Sequence, residues 1–254
     1  MIIYLNVCTR PTVSYAISIL ASFNSNPTFL ACKALVRLAK FIYNTRADKL
    51  VLGGGADLPH LTTFCDSDWG GCIDTHYSRS DHIVFMGNGP VTWYSKRQTN
   101  CVKSSTEAEF MAQAPAIQNS NYVRKIVNCG NIPNVKYRLA AGLFSDNEAS
   151  IAIASNPVFH QRTKHISIKY QYVNENVELG NITPEFTRSK DNFADGFTKP
   201  VGKNIFKEHY SFNMGGQPIP RVHNLKKTVE NDTLPCPHCS LGLLGRDYQL
   251  EGEY

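Results

Sequence analysis

Hydrophobic positions between residues 11 and 45 recur at helical spacing. Ile17, Leu20 and Ala21 form one run, and Ala34, Leu35, Leu38 and Ile42 form a second, with basic residues between them. Asn24-Ser25-Asn26-Pro27 divides the two, because a proline pushes the residue before it out of the helical region. Gly53-Gly54-Gly55 then marks a boundary. From residue 60 the period shortens. Residues 60–64, 82–86 and 91–94 are rich in β-branched and aromatic side chains and predict strands, with Gly87-Asn88-Gly89-Pro90 as a hairpin turn. Residues 105–127 predict a helix that opens on the capping types Ser105 and Thr106. Pro115 lacks an N–H and clashes with the carbonyl one turn back, which predicts a kink or break near Ala112 to Pro115. A strand over 135–144, a short helix through Ile151 and Ile153, a helix over 165–178, a strand over 182–187 and a short helix over 192–198 follow. That order predicts an α/β layer with a mixed sheet.

After Gly215-Gly216, with Pro218 and Pro220, no periodicity remains. The chain thus divides into a helical segment (1–55), an α/β domain (56–213) and a linker with a partly ordered tail (214–254). Hydrophobic residues make up 42% and charged residues 19%, enough apolar content for a packed core. A net charge of +5 is compatible with a nucleic-acid partner without pointing to one. The 8 cysteines are dispersed rather than spaced as a disulfide framework, the start lacks a signal-peptide pattern, and no apolar run approaches the ~20 residues that span a bilayer. These features predict a soluble, intracellular protein without a membrane partner, in either cytoplasm or nucleus.

Four acidic residues fall at the ends of predicted elements: Asp66 at the end of the first strand, Glu109 in the long helix, Asp146 after the later strand and Asp195 in the last short helix. Phosphodiester hydrolysis needs an activated water, a stabilised leaving oxygen and neutralised phosphate charge, which two Mg²⁺ ions about 3.5–4 Å apart supply. Mg²⁺ is a hard ion that prefers carboxylate oxygens. Spacing alone does not separate this reading from ordinary solvated acids. Asp68 competes with Asp66 on the same strand face, whereas Glu107 points about 200° away from Glu109 on a helix.

The strings CTRPTVSYAISILASFNSNPT, CDSDWGG, GPVTWYSKRQTN, SSTEAEFMA, SDNEASIAIASNPVFHQRTKHISIKYQYV and DNFADGFTKP resemble, in this order and over roughly residues 1–213, copia-type LTR retrotransposon Pol polyproteins. The stretch runs from the end of the reverse transcriptase through ribonuclease H. The resemblance implies a ribonuclease H-like fold, a five-stranded mixed sheet flanked by helices and preceded by a small helical remnant of the reverse transcriptase. It implies hydrolysis of the RNA strand of an RNA–DNA hybrid with two Mg²⁺ ions (Mn²⁺ as a substitute), leaving a 3′-hydroxyl and a 5′-phosphate. The family's metal-binding acids fall on Asp66, Glu109, Asp146 and Asp195. The natural partners it implies are the hybrid and the rest of the reverse transcriptase. His165, Lys96, Arg97, Lys164 and Asn147 are candidates for contact with the hybrid.

The sequence also departs from the family. The polymerase's Asp-Asp motif is absent, Asp81-His82 replace what reads as a small, tight turn after Arg79-Ser80, and Pro115 interrupts the helix of Glu109. A degenerate or domesticated fragment that binds nucleic acid or protein without cutting is therefore the alternative. Trp69 and Trp93 are read as core residues, although each could stack on nucleic acid. Cys236-Pro237-His238-Cys239 has zinc-like spacing but no second pair at finger distance, and His209 and His223 lie upstream at no standard distance.

Overall fold

A computed structural model describes residues 2–53, 60–72, 75–99, 101–130, 140–156 and 167–219. Three helices come first: α1 (Ile2–Thr9), α2 (Ser14–Ala21) and α3 (Phe29–Asn44). Thr28 caps α3, its hydroxyl accepting from Ala31 N at 3.1 Å. Val13, Ile17 and Leu38 form a small buried cluster among these helices.

The domain that follows is built on five strands: β1 (Leu61–Asp68), β2 (Arg79–Met86), β3 (Gly89–Arg97), β4 (Ala141–Ser145) and β5 (Ile182–Phe186). Their order is β3-β2-β1-β4-β5. The first three pair antiparallel, while β4 joins β1, and β5 joins β4, in parallel. Five further helices accompany the sheet: α4 (Ser105–Cys129), α5 (Glu148–Ser155), α6 (Ser167–Glu178), α7 (Asp195–Thr198) and α8 (Lys203–Asn213). This mixed sheet, with an antiparallel meander extended by parallel strands and covered on both faces, is the ribonuclease H-like architecture. No helix among the described residues is long and apolar enough to cross a membrane.

Strand alternation sorts the core into two layers. Leu61 and Cys65 face α4 and α6, where Phe110, Ile117 and Val173 are buried with them. Phe64 faces the other way, into an aromatic layer with Phe85, Phe144, Phe193 and Phe197. Asp66 shares the face of Phe64 and so points toward α7.

Several expectations need correction. β1 runs on to Asp68, so Asp66 lies inside the strand rather than at its end. β2 begins at Arg79 rather than at His82: Asp81 pairs with Asp66 on one side and Ser95 on the other. The two-residue turn is Gly87-Asn88, with Gly87 at φ 62°, which glycine adopts without a Cβ clash. Ser104, not Ser105 or Thr106, caps α4. Its Oγ accepts from Glu107 N at 3.2 Å, and Glu107 Oε2 accepts from Lys103 N at 2.7 Å. α4 passes through Pro115 as one unbroken helix, because both of its flanks are held by packing on β1, β2, α5 and α6. α8, which the periodicity did not reveal, covers the aromatic layer with Phe212. Part of the strand expected over 135–144 lies outside the described residues, and so does the tail after 219 with Cys236, His238 and Cys239.

Candidate active site

β1 delivers Asp66 in register opposite Asp81. α4 delivers Glu109 from its second turn, where burial of Ala108, Phe110 and Met111 fixes the helix against the sheet. Asp146 follows β4 directly, at the point where Asn147 caps α5. α7 begins with Asp195.

Asp66, Glu109 and Asp146 each bring a carboxylate oxygen within 4.8 Å of the others. Asp68 is not part of that cluster. Glu107 is committed to the α4 cap. Asp66 is almost fully buried, and Thr198 Oγ1 donates to its Oδ2 at 2.5 Å. Glu109 is also buried; Ser67 N donates to its Oε1 at 3.2 Å, and its Oε2 has no hydrogen-bond partner among the described residues. Asp146 is more open, and its Oδ2 accepts from Ser189 Oγ at 2.6 Å. Asp195 reaches the cluster through Lys199, whose ammonium lies 3.1 Å from Asp195 Oδ1 and 3.8 Å from Asp66 Oδ2.

Such crowding makes ionisation expensive. Burial, then the neighbouring Asp195, push the Asp66 carboxyl from its ordinary 3.8 to about 7, against the opposing pull of Lys199 and Thr198. Burial, Asp66 and Asp146 push Glu109 well above the usual carboxylate range. Burial would lower the Lys199 pKa, but Asp66 and Asp195 outweigh it and hold the ammonium charged.

Two residues next to this cluster are not among the candidates that the sequence singles out. Asp81 is fully buried, neither carboxylate oxygen is hydrogen-bonded among the described residues, and burial, followed by Asp66 and Glu109, drives its pKa well up. Lys199 stands four residues after Asp195, one helical turn, and that spacing was the signal for it. His82 faces the opposite side of the sheet, fully buried and stacked on Tyr94, its Nε2 2.7 Å from Asn119 Nδ2.

The remaining candidates scatter. Lys96 and Arg97 are exposed at the end of β3, on the rim of an open groove of about 1220 Å³ that also meets α4 and α6. Asn147 accepts from Ser150 N at 2.9 Å as the cap of α5. Lys164 and His165 lie outside the described residues, as do His160 and Arg162. Trp69 is 54% exposed, contrary to its reading as core, while Trp93 packs against the aromatic layer and donates to Asn6 O at 2.9 Å. His209 is buried, with Nε2 3.0 Å from Lys190 O.

No protein-family model matches the chain. It is similar to the retrovirus-related Pol polyproteins from transposons RE1 and RE2 of Arabidopsis thaliana, at 31% and 30% identity over 214 residues, 84% of this chain in each case. The corresponding polyprotein from transposon TNT 1-94 of Nicotiana tabacum is 27% identical over 206 residues, 81% of this chain and 15% of that one. The chain spans 14% of the length of the two Arabidopsis relatives. Among solved structures, it is similar to an RNase H1 isolated from compost, with TM-score 0.42 and 11% identity over 60% of this chain and 99% of that one. The N-terminal RNase H domain of a Mycobacterium tuberculosis protein gives TM-score 0.40 and 9% identity, over 60% of this chain and 96% of that one.

Proposed function

The chain belongs to the retrovirus-related Pol polyproteins of transposons, and from that premise we propose that its α/β domain hydrolyses the RNA strand of an RNA–DNA hybrid with the help of divalent ions. The observation that carries this reading is the convergence of Asp66, Glu109 and Asp146, from three separate elements, within 4.8 Å of one another, with Asp195 joined to Asp66 through Lys199.

The donor set suits a hard divalent ion. It consists of carboxylate oxygens only, one of them, Glu109 Oε2, is buried without a hydrogen-bond partner among the described residues, and burial, with neighbouring carboxylates second, raises the pKa values of Asp66 and Glu109. Asp66, Glu109, Asp146 and Asp195 would hold Mg²⁺, or Mn²⁺ in its place. When bound, such ions neutralise the scissile phosphate and lower the pKa of the attacking water. The protein's own part is positional: Ser67 N fixes Glu109, Thr198 orients Asp66, and Ser189 restrains Asp146. Lys96 and Arg97 offer positive charge to the hybrid backbone from the rim of the groove. Lys164, His165 and Asn147 remain candidates for the same task.

The deciding experiment incubates the purified chain with a labelled hybrid and Mg²⁺. The Asp146→Asn variant should lose cleavage, by at least about a hundredfold, while hybrid binding holds or tightens, because asparagine keeps the size but not the charge that attracts an ion. Equal loss of cutting and binding would make Asp146 structural. A second reading, binding without cutting, is favoured by one observation: the Asp81 carboxyl buried beside Asp66 with no hydrogen-bond partner among the described residues. Hybrid binding by an unmutated chain that does not cut would select it.

A further inference from the structure

Lys199 is the C-cap of the four-residue helix α7, and its side chain is 42% exposed. Its ammonium lies within 4 Å of both Asp195 and Asp66, on two different elements. Among the described residues these are the ion pairs that the acidic cluster makes. The pairing leaves Asp195 facing a lysine, while Asp66, Glu109 and Asp146 face one another. A divalent ion shared between Asp66 and Asp195 would need the space that the ammonium now fills. Two cations cannot share it without strong repulsion at short range.

We propose that Lys199 is an internal counter-ion that competes with a divalent ion for Asp66 and Asp195, holding the cluster together without the ion and giving way to it. This inference rests on the reading of the cluster as a divalent-ion site. The side chain is suited to the exchange. Lysine carries a compact point charge on a flexible four-carbon stem, and the Lys199 side chain is partly exposed. Swung outward, the ammonium leaves the carboxylates and becomes available to a phosphate of the hybrid. The same residue then serves in two positions: as a neutralising partner before the ion arrives, and as a phosphate contact afterwards. Linkage fixes the sign of the effect. Whatever free energy the ammonium gains from the carboxylates, the ion must offset on binding, so removing the ammonium tightens ion binding and weakens the ion-free protein.

The test uses the full chain and Mn²⁺ alone. Isothermal titration should show Lys199→Met binding Mn²⁺ about tenfold more tightly than the unmutated chain. Lys199→Arg, which keeps the charge, and Lys203→Met, which removes an exposed charge elsewhere, should each stay within about twofold. Thermal melts in chelator should place Lys199→Met below the unmutated chain, with the gap closing at saturating Mn²⁺. On the unmutated protein, which needs no variant to fold, acetylation of Lys199 followed by mass spectrometry should speed up when Mn²⁺ is added. Mn²⁺ affinity that is unchanged or weaker in Lys199→Met, or acetylation that Mn²⁺ leaves unchanged or slows, overturns the inference while the metal site stands. Absence of Mn²⁺ binding in every protein overturns the metal site, and this inference with it.

Discussion

At the scale of single residues, the site is a concentration of negative charge that the fold has only partly neutralised. Asp66, Glu109 and Asp81 all hold their protons to a higher pH than in an unfolded chain, through burial first and neighbouring carboxylates second. The folded state therefore binds protons that the unfolded state has released, and stability falls as pH rises toward the folded pKa values. His82 acts in the opposite sense at lower pH: burial drops its pKa from 6.5 to about 3, so stability is lost as pH falls below 6.5. Above pH 6.5 the imidazole is neutral in both states, and the carboxylates act alone. In chelator, the melting temperature should fall between pH 6.5 and 8, by about 1.4 kcal/mol of stability per pH unit for each proton retained. Asp81→Asn should reduce that slope, and Mg²⁺ should flatten it. Differential scanning calorimetry at the two pH values decides the matter; a melting temperature that rises with pH would show that the carboxylates are not paired as described. Motif strings surround Asp66, Glu109, Asp146 and Asp195, and the structure brings the first three of them within 4.8 Å of one another. Asp81 was legible only as a departure, since its burial depends on a pairing with Asp66 across β1 and β2 that the sequence does not display.

At the scale of elements, periodicity located segments better than it located their ends. β2 was read from His82 but starts at Arg79, because the polar residues Arg79, Ser80 and Asp81 hide the strand while their neighbours Asp66 to Asp68 and Ser95 to Arg97 complete its ladder. α8 was missed because its mixed pattern reads as polar, yet the fold gives its Phe206, Tyr210 and Phe212 aromatic partners from distant segments. α4 shows the opposite case: a strong local rule against a helix was overridden. Pro115 has no N–H to donate to Met111 O, a defect worth up to about 3 kcal/mol in a helix interior, yet α4 runs on to Cys129. The rest of the helix carries the defect, since Phe110, Met111, Ala112 and Ile117 are buried on both sides of it. Pro115→Ala should therefore raise stability by about 2 kcal/mol, the restored hydrogen bond and better propensity outweighing the added freedom of the unfolded chain. Urea unfolding of the two proteins measures this directly. Equal midpoints would mean that the helix has relaxed around the proline at no net cost.

At the scale of the whole molecule, the glycine boundary at 53–55 suggested a helical segment hung in front of an α/β domain, but the contacts join the two closely. Trp93 of β3 donates to Asn6 O at 2.9 Å, and Arg79 of β2 donates to Ser18 Oγ while its guanidinium lies over the Tyr15 ring. On the other side, Phe41 meets Phe206 and Tyr210 edge-on, Tyr210 donates to Asp48 at 2.7 Å, and Val51 N donates to Met214 O at 2.8 Å. α8 thus bridges the aromatic layer of the sheet and helix α3. Sequence could not show this, since each pair is separated by tens to more than a hundred residues and neither partner is distinctive alone. The arrangement has a mechanical consequence for the site. α7, which carries Asp195 and Lys199, sits between the sheet and α2, so the helical segment helps to press the fourth carboxylate toward Asp66. Phe41→Ala removes one aromatic face from α8 without touching the cluster. It should cost about 3 kcal/mol if the segment and the domain unfold together, and calorimetry should still show a single transition at a lower temperature. If instead the segment is an independent appendage, the same change would split off a small early transition and leave the main one in place.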